Sequence, residues 1–355
     1  MSFIARFWQV GLRRLRKAVC LTMVITQVPL AASEGAKSGD QNRILPRLDG
    51  DAYRLALTLP RIDQCSLRKS CSGCGVWRGS ADLVPVGEIA PIIDQRLKSF
   101  GRQINEYRRS GHRINVSLYN RGNVANPREL PADQFDRLLD RFSQMLAPLD
   151  TVAISTRGLY VTDEILSRIQ SRNPGFLIDF NIGVETTSER GRELFGKSKI
   201  DREFDTLFKR ISSFNSQHRA NFGLTVNFIY LPESYLKPGE KREGNVAKIN
   251  DGFHQEIMRF VDLYGNKDVR LKINLHPFYR VPDAAIESSD LDQFMPAALE
   301  ILRSLRIFNR NVDRRELQVT VFIGVQDQGY ENPDFEEKIE RWRDAIFRFN
   351  RGLDS

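Results

Sequence analysis

From Tyr53 to Phe349 the chain alternates two kinds of segment, and this alternation restricts its fold more than any other feature. Runs rich in β-branched and aromatic residues read as strands: Tyr53–Leu59, Ile114–Tyr119, Thr151–Ser155, Phe176–Val184, Phe222–Tyr230, Val269–Leu275 and Leu317–Ile323. Between them lie runs with apolar residues at helical spacing. Val86–Arg109 places Ile89, Ile92, Ile93 and Leu97 on one face, and Pro131–Leu146 does the same with Phe135, Leu138, Leu139 and Phe142. Thr162 reads as the cap of a helix reaching Gln170. Further helices are expected over Ser188–Phe195, Asp201–Gln217, Asp251–Leu263, Leu291–Ile307 and Phe335–Phe349. Strands regularly separated by helices imply parallel βα units. The almost continuously apolar strands, such as Leu224–Leu231, imply burial on both faces. Six or seven such units favour an open or partial (βα) barrel over a doubly wound sheet, with functional residues at the C-terminal ends of the strands. The polar stretch Pro232–Asn250 reads as a mobile loop on the substrate side.

One connection carries unusual chemistry. Cys65-Ser-Leu-Arg-Lys-Ser-Cys71-Ser-Gly-Cys74 follows the first strand and holds three of the four cysteines in the chain. Thiolates are the usual ligands of iron–sulfur clusters, and a CxxC pair can direct two sulfurs at one metal centre. Three thiolates on a [4Fe–4S] cube leave one iron open to a substrate or cofactor. Gly73 and Gly75 flank the last cysteine and let the backbone turn tightly. A disulfide would strand the third cysteine. A structural zinc site needs four ligands; the next histidine is His112, and Cys20 lies in an unrelated N-terminal segment. A zinc-stabilised interaction protein, its tetrahedral site completed by a distant residue such as His276, stands as the alternative, and chance clustering of cysteines as the plainest reading.

The stretch resembles the cluster motif of the radical S-adenosylmethionine (SAM) superfamily. The usual pattern there is CxxxCxxC, and the first gap here is two residues wider, as in the Elongator-type and archaeosine-synthase-like branch. Further segments resemble the family in the right order, over roughly Tyr53 to Pro282. Leu118-Tyr-Asn-Arg-Gly-Asn123 is similar to the segment approaching the amino group of SAM, which implies roles for Asn120 and Gly122. Phe180-Asn-Ile-Gly-Val-Glu185 is similar to the fourth-strand signature, with Glu185 facing the ribose. Lys197 stands where relatives carry a basic residue for the methionyl carboxylate. Asn227-Phe-Ile-Tyr-Leu-Pro-Glu233 is similar to the fifth strand, whose leading Asn227 also reaches the ribose. The resemblance implies a partial TIM-like (βα)6 barrel with an additional C-terminal strand–helix unit. It also implies a [4Fe–4S] cluster on Cys65, Cys71 and Cys74, SAM as second cofactor, and a flavodoxin- or ferredoxin-type electron donor. Two departures stand out. Gly73 replaces the aromatic residue common before the third cysteine, leaving the adenine side to Val76 or Trp77, and Asn120-Arg121-Gly122 replaces the Gly-Gly-Glu triplet.

Composition decides a few remaining questions. A chain of 355 residues can bury a large core. Four cysteines argue against a disulfide scaffold and exclude a second cysteine-ligated cluster. The net charge of +8 suits an acidic partner such as tRNA, which the likeness to the tRNA-modifying branch also implies, although many enzymes are as basic. Residues 1–50 form a basic, then apolar, then polar leader, and 51–355 the catalytic domain. The apolar run Ala18–Ala32 is too short and interrupted to make a stable membrane span. It resembles a secretory signal, but an oxygen-sensitive cluster implies a cytoplasmic protein, so a misassigned start is the expected explanation.

Taken one at a time, the candidates have plain structural readings. Glu185 could cap the next helix, Lys197 could be a solvated lysine, and Asn227 a satisfied buried amide. Their order behind the cysteines argues for function. His276-Pro277 and Tyr279-Arg280 close the sixth strand within reach of substrate or adenine, and Tyr119 and Tyr160 stand near strand ends. No residue of the sequence identifies itself as the catalytic acid or base.

Overall fold

A computed structural model describes residues 48–63, 83–120, 122–172, 174–195, 200–265, 268–278, 289–314, 317–324 and 333–353. They lie within one compact unit, 41–355. The strands are β1 (Leu48–Asp49), β2 (Ala52–Thr58), β3 (Arg113–Tyr119), β4 (Thr151–Ser155), β5 (Leu177–Glu185), β6 (Phe222–Tyr230), β7 (Arg270–Pro277) and β8 (Thr320–Ile323). The helices are α1 (Ile89–Arg109), α2 (Ala132–Met145), α3 (Asp163–Ser171), α4 (Glu189–Phe195), α5 (Ile200–His218), α6 (Val246–Tyr264), α7 (Leu291–Asn309) and α8 (Pro333–Asn350). The strands pair in chain order. β1 runs antiparallel to β2, and every later pairing is parallel. The expected six-unit barrel with one more strand–helix pair is the fold observed. The added element is the two-residue β1 at its edge.

The helices form where the apolar spacing demands. Ile89, Ile93, Leu97, Phe100 and Ile104 are the buried stripe of α1, and Thr162 Oγ1 caps α3 by accepting from Ile165 N at 3.3 Å. The outward-facing strand residues Val116, Ile154, Phe180, Val226 and Ile273 pack with these helices in one continuous core. Tyr53 of β2 stacks on Tyr107 of α1, ring centroids 3.7 Å apart.

The inner face of the sheet is different. Arg54, Asn115, Ser117, Asn181, Thr225 and Asn274 alternate with the core residues and are themselves buried. Burial on both faces is therefore as expected, but the lumen is lined by polar groups. Near the C-terminal ends, Tyr119, Ser155, Gly183, Glu185 and Asn227 are half-buried, so the lumen opens at that end.

The sheet curls until its edges meet through side chains. The Arg54 guanidinium of β2 donates to Asn274 Oδ1 of β7 at 3.3 Å and lies 4.2 Å from the centroid of the Phe322 ring of β8. Lys272 of β7 pairs with Asp49 of β1, which also accepts from Asn115 Nδ2 at 3.0 Å. Gly50 N donates to Asn350 O at 2.7 Å, and Ile323 N of β8 donates to Asn350 Oδ1 at 2.6 Å. The barrel is nearly closed.

The stretch Pro232–Asn250 needs correction. α6 begins at Val246, five residues earlier than its apolar spacing implies. The preceding residues are tied down: Arg242 pairs with Glu233, Arg190 Nε donates to Glu233 O at 2.8 Å, and Tyr235 OH donates to Glu256 Oε2 at 2.5 Å.

Candidate functional site at the barrel mouth

Cys65, Cys71, Cys74 and Lys197 lie outside the described residues, as do Gly73, Gly75, Val76, Trp77, Tyr279 and Arg280. The two ends of the cysteine stretch are described. Beyond β2 the chain keeps its pairing through Leu59 N, which donates to Tyr119 O at 2.6 Å. Arg61 and Leu83 then form a parallel bridge, with Val84 N donating to Arg61 O at 3.0 Å. Ile62 N donates to Glu129 O at 3.0 Å. Residues 64–82 thus leave and rejoin the fold at one stem, at the C-terminal ends of β2 and β3.

Beside this stem the β3 turn is built around a buried carboxylate. Glu129 accepts from Asn123 N at 2.7 Å, Asn123 Nδ2 at 2.9 Å and Asn126 Nδ2 at 2.9 Å. A Cβ on Gly122 would run into this carboxylate, which gives Gly122 a packing reason to be glycine. Asn120 is fully buried, and its Oδ1 accepts from Gly122 N at 3.0 Å. Its Nδ2 has no hydrogen-bond partner among the described residues. A buried donor left unpaired costs about 1–3 kcal/mol, so such a group points to a missing acceptor.

Glu185 ends β5 with a left-handed backbone, φ 61°, at a break in the register with β6. This conformation is uncommon for a residue with a side chain and is concentrated at functional sites. The next turn is fixed by Glu256 of α6, whose carboxylate accepts from Thr186 Oγ1 at 2.8 Å, from Thr187 N and from Tyr235 OH. Burial, and after it the Glu256 carboxylate, push the Tyr235 hydroxyl well above its ordinary pKa of 10.0. Glu185 does not cap α4. Ser188 Oγ takes that place, accepting from Gly191 N at 2.9 Å.

Asn227 is held in a ladder across the lumen. Its Oδ1 accepts from Asn274 Nδ2 at 2.8 Å, and its Nδ2 donates to Asn181 Oδ1 at 2.7 Å. Asn181 Nδ2 lies 3.5 Å from Tyr119 OH. His276 Nδ1 is 2.6 Å from Gly324 O and its Nε2 is 3.4 Å from Asn227 Oδ1. A carbonyl can only accept, so Nδ1 carries a proton. Among the described residues no three His, Cys, Asp or Glu side chains gather as a metal site.

The structure therefore brings Asn120, Gly122, Glu185 and Asn227 to the C-terminal side of the sheet, with Asn120 and Gly122 in the turn next to the stem of the cysteine stretch. Asn181, Asn274, Glu129 and Glu256 went unrecognised in the sequence. For the two asparagines the available signal was a polar residue at every second position of otherwise apolar strands, and Glu129 and Glu256, in a turn and a helix, carried no such signal.

No family model matches the chain, and no curated protein matches it. Among solved structures, SuiB of Streptococcus suis, determined bound to S-adenosylmethionine, is 12% identical with a TM-score of 0.44. That match covers 78% of this chain and 51% of that one. A radical SAM methyltransferase from Sphaerobacter thermophilus is 14% identical with a TM-score of 0.42, covering 76% and 66%. A β-glucosidase from Thermotoga maritima, in complex with castanospermine, is 12% identical with a TM-score of 0.42, covering 86% and 99%. The chain thus spans about half the length of the first of these. Two chemistries at one level of likeness carry no argument about function, which rests on the residues themselves.

Proposed function

We propose that the chain is a radical SAM enzyme, with a [4Fe–4S] cluster on Cys65, Cys71 and Cys74 and SAM bound across the barrel mouth. The observation that carries this reading is the stem at Arg61 and Leu83, which lies at the same, C-terminal end of the strands as Asn120, Glu185 and Asn227. Three described segments separate in sequence, those of Asn120, Glu185 and Asn227, thus share the C-terminal end of one polar lumen. When bound, the cluster and SAM supply a one-electron cleavage that yields a 5′-deoxyadenosyl radical for use on a substrate.

The chain's own residues fit such a ligand selectively. Glu185 carries a carboxylate, a strong acceptor for ribose hydroxyls, just before a turn that Glu256 holds at Thr186 and Thr187. Asn227 offers an amide from the adjoining strand. Asn120 differs from its family role: its Oδ1 is engaged by Gly122 N, so what it presents is a donor. A donor suits a carboxylate or a carbonyl, so Asn120 Nδ2 is assigned to an acceptor of the ligand. The polar lumen below gives a substrate hydrogen-bonding groups, and the helices around the sheet keep bulk water from the strands.

The test is anaerobic reconstitution with iron and sulfide, then reduction in the presence of SAM. The reading expects a brown protein that forms 5′-deoxyadenosine. A colourless protein that takes up one zinc per chain would refute it. A tRNA substrate adds a separate expectation, binding that weakens steeply with salt; no tRNA binding at low salt leaves small molecules or peptides.

A further inference from the structure

The hydrogen bonds of the lumen have a direction, and one residue sets it. A guanidinium has donors and no acceptor, whereas an asparagine amide can face either way. Arg54 donates to Asn274 Oδ1 at 3.3 Å and to Ser117 Oγ at 3.2 Å, so the oxygen of Asn274 must face β2. Its nitrogen then faces β6 and donates to Asn227 Oδ1 at 2.8 Å. That turns Asn227 Nδ2 toward Asn181 Oδ1 at 2.7 Å, and Asn181 Nδ2 toward Tyr119 OH. Three amides on three adjacent strands are aligned by one cation. The two amide–amide links, at 2.8 and 2.7 Å, are inside normal hydrogen-bond length, and the end contacts, Arg54 to Asn274 at 3.3 Å and Asn181 to Tyr119 at 3.5 Å, are longer.

We propose that Arg54 is a positioning residue for the ligand at the mouth. By fixing the sense of the Asn274–Asn227–Asn181 ladder it makes the lumen present an N–H at Asn227. One Nδ2 hydrogen of Asn227 is used by Asn181, and the other has no partner among the described residues. The group that Asn227 recognises is accordingly an oxygen acting as acceptor, such as a sugar hydroxyl oxygen. The part of this inference that names the ligand rests on the SAM reading. The direction of the ladder does not.

Arg54 also helps seal the barrel, by its contacts with Asn274 and Phe322. A test must separate sealing from positioning, and Asn274→Asp does so. The carboxylate keeps, and strengthens, the contact with Arg54 but has no donor for Asn227. The Asn227 amide then turns its nitrogen to Asp, and Asn181 reverses in sequence. With selectively 15N-labelled asparagine in the ligand-free full chain, the side-chain amide signals of both Asn227 and Asn181 should move. The melting temperature should not fall, and affinity for SAM should drop about tenfold or more, the loss of one hydrogen bond and the exposure of a wrong partner. An unmoved Asn181 signal overturns the proposal, because the change would then stop at the neighbour. Should the aspartate variant not fold, Arg54→Met removes the director: doubled Asn181 and Asn227 amide signals support the proposal, and a single unchanged set overturns it. If the parent protein does not bind SAM, the cofactor reading fails while the amide signals still decide the ladder.

Discussion

Glu185 bears two costs that pull in opposite directions. Its left-handed backbone at φ 61° costs about 1–2 kcal/mol for any residue with a Cβ. Its carboxylate is the proposed ribose contact. Glu185→Gly and Glu185→Ala both remove the carboxylate, but only glycine relieves the backbone. Denaturant unfolding should therefore find the glycine variant more stable than the alanine variant by about 1 kcal/mol. Both should bind SAM about tenfold to a hundredfold more weakly, the loss of a charged hydrogen bond of about 1.5–3 kcal/mol. Equal stabilities would mean that the turn relaxes in solution, and unchanged affinity would remove Glu185 from the site. Gly122 tests the neighbouring turn. Gly122→Ala pushes a methyl group into the buried Glu129 carboxylate and should lower stability by about 1–3 kcal/mol in the same measurement.

Among the elements, α6 and the turn after β5 are joined by Glu256. Glu256→Ala leaves Thr186 Oγ1, Thr187 N and Tyr235 OH without their acceptor and should cost about 3 kcal/mol or more, at about 1–3 kcal/mol for each buried unpaired group. Glu256→Gln keeps one acceptor and should cost less. Tyr235 adds a pH signature. Its folded-state pKa is raised, so its contribution is complete below the unfolded value of 10.0 and is lost as pH rises beyond it. Stability should fall above about pH 10, and more shallowly in Tyr235→Phe than in the parent; identical slopes would show that Tyr235 ionises freely. Most elements were legible because their apolar residues recur at a helical or alternating period. β1 was missed because two residues carry no period. The first turn of α6 was missed because Val246–Asn250 has a polar outer face in a polar stretch. The lumen ladder was missed for a different reason: single asparagines in apolar strands read as interruptions, and only the register of β5, β6 and β7 shows that they meet.

For the whole molecule, the barrel and the cysteine stretch divide the work. The core lies between sheet and helices, and the stretch enters and leaves through one stem. Cys71→Ala should therefore abolish cluster binding while the far-ultraviolet signal of the βα core persists, and metal analysis beside circular dichroism measures both. Loss of the fold along with the metal would make the site structural and favour zinc. In the sequence, the cysteines announced the chemistry and the βα period announced the barrel. That the stem of the cysteine stretch shares one end of the barrel with Glu185 and Asn227 became visible only when the strands were paired in order. Chemistry at this mouth, powered by an open iron and SAM, is the central claim. Its most direct test is the 5′-deoxyadenosine formed by the anaerobically reconstituted, reduced protein with SAM. The account predicts formation that depends on all three of Cys65, Cys71 and Cys74 and is weakened in the Glu185 variants. A reconstituted protein that holds iron yet forms no 5′-deoxyadenosine, with or without those residues, would contradict it.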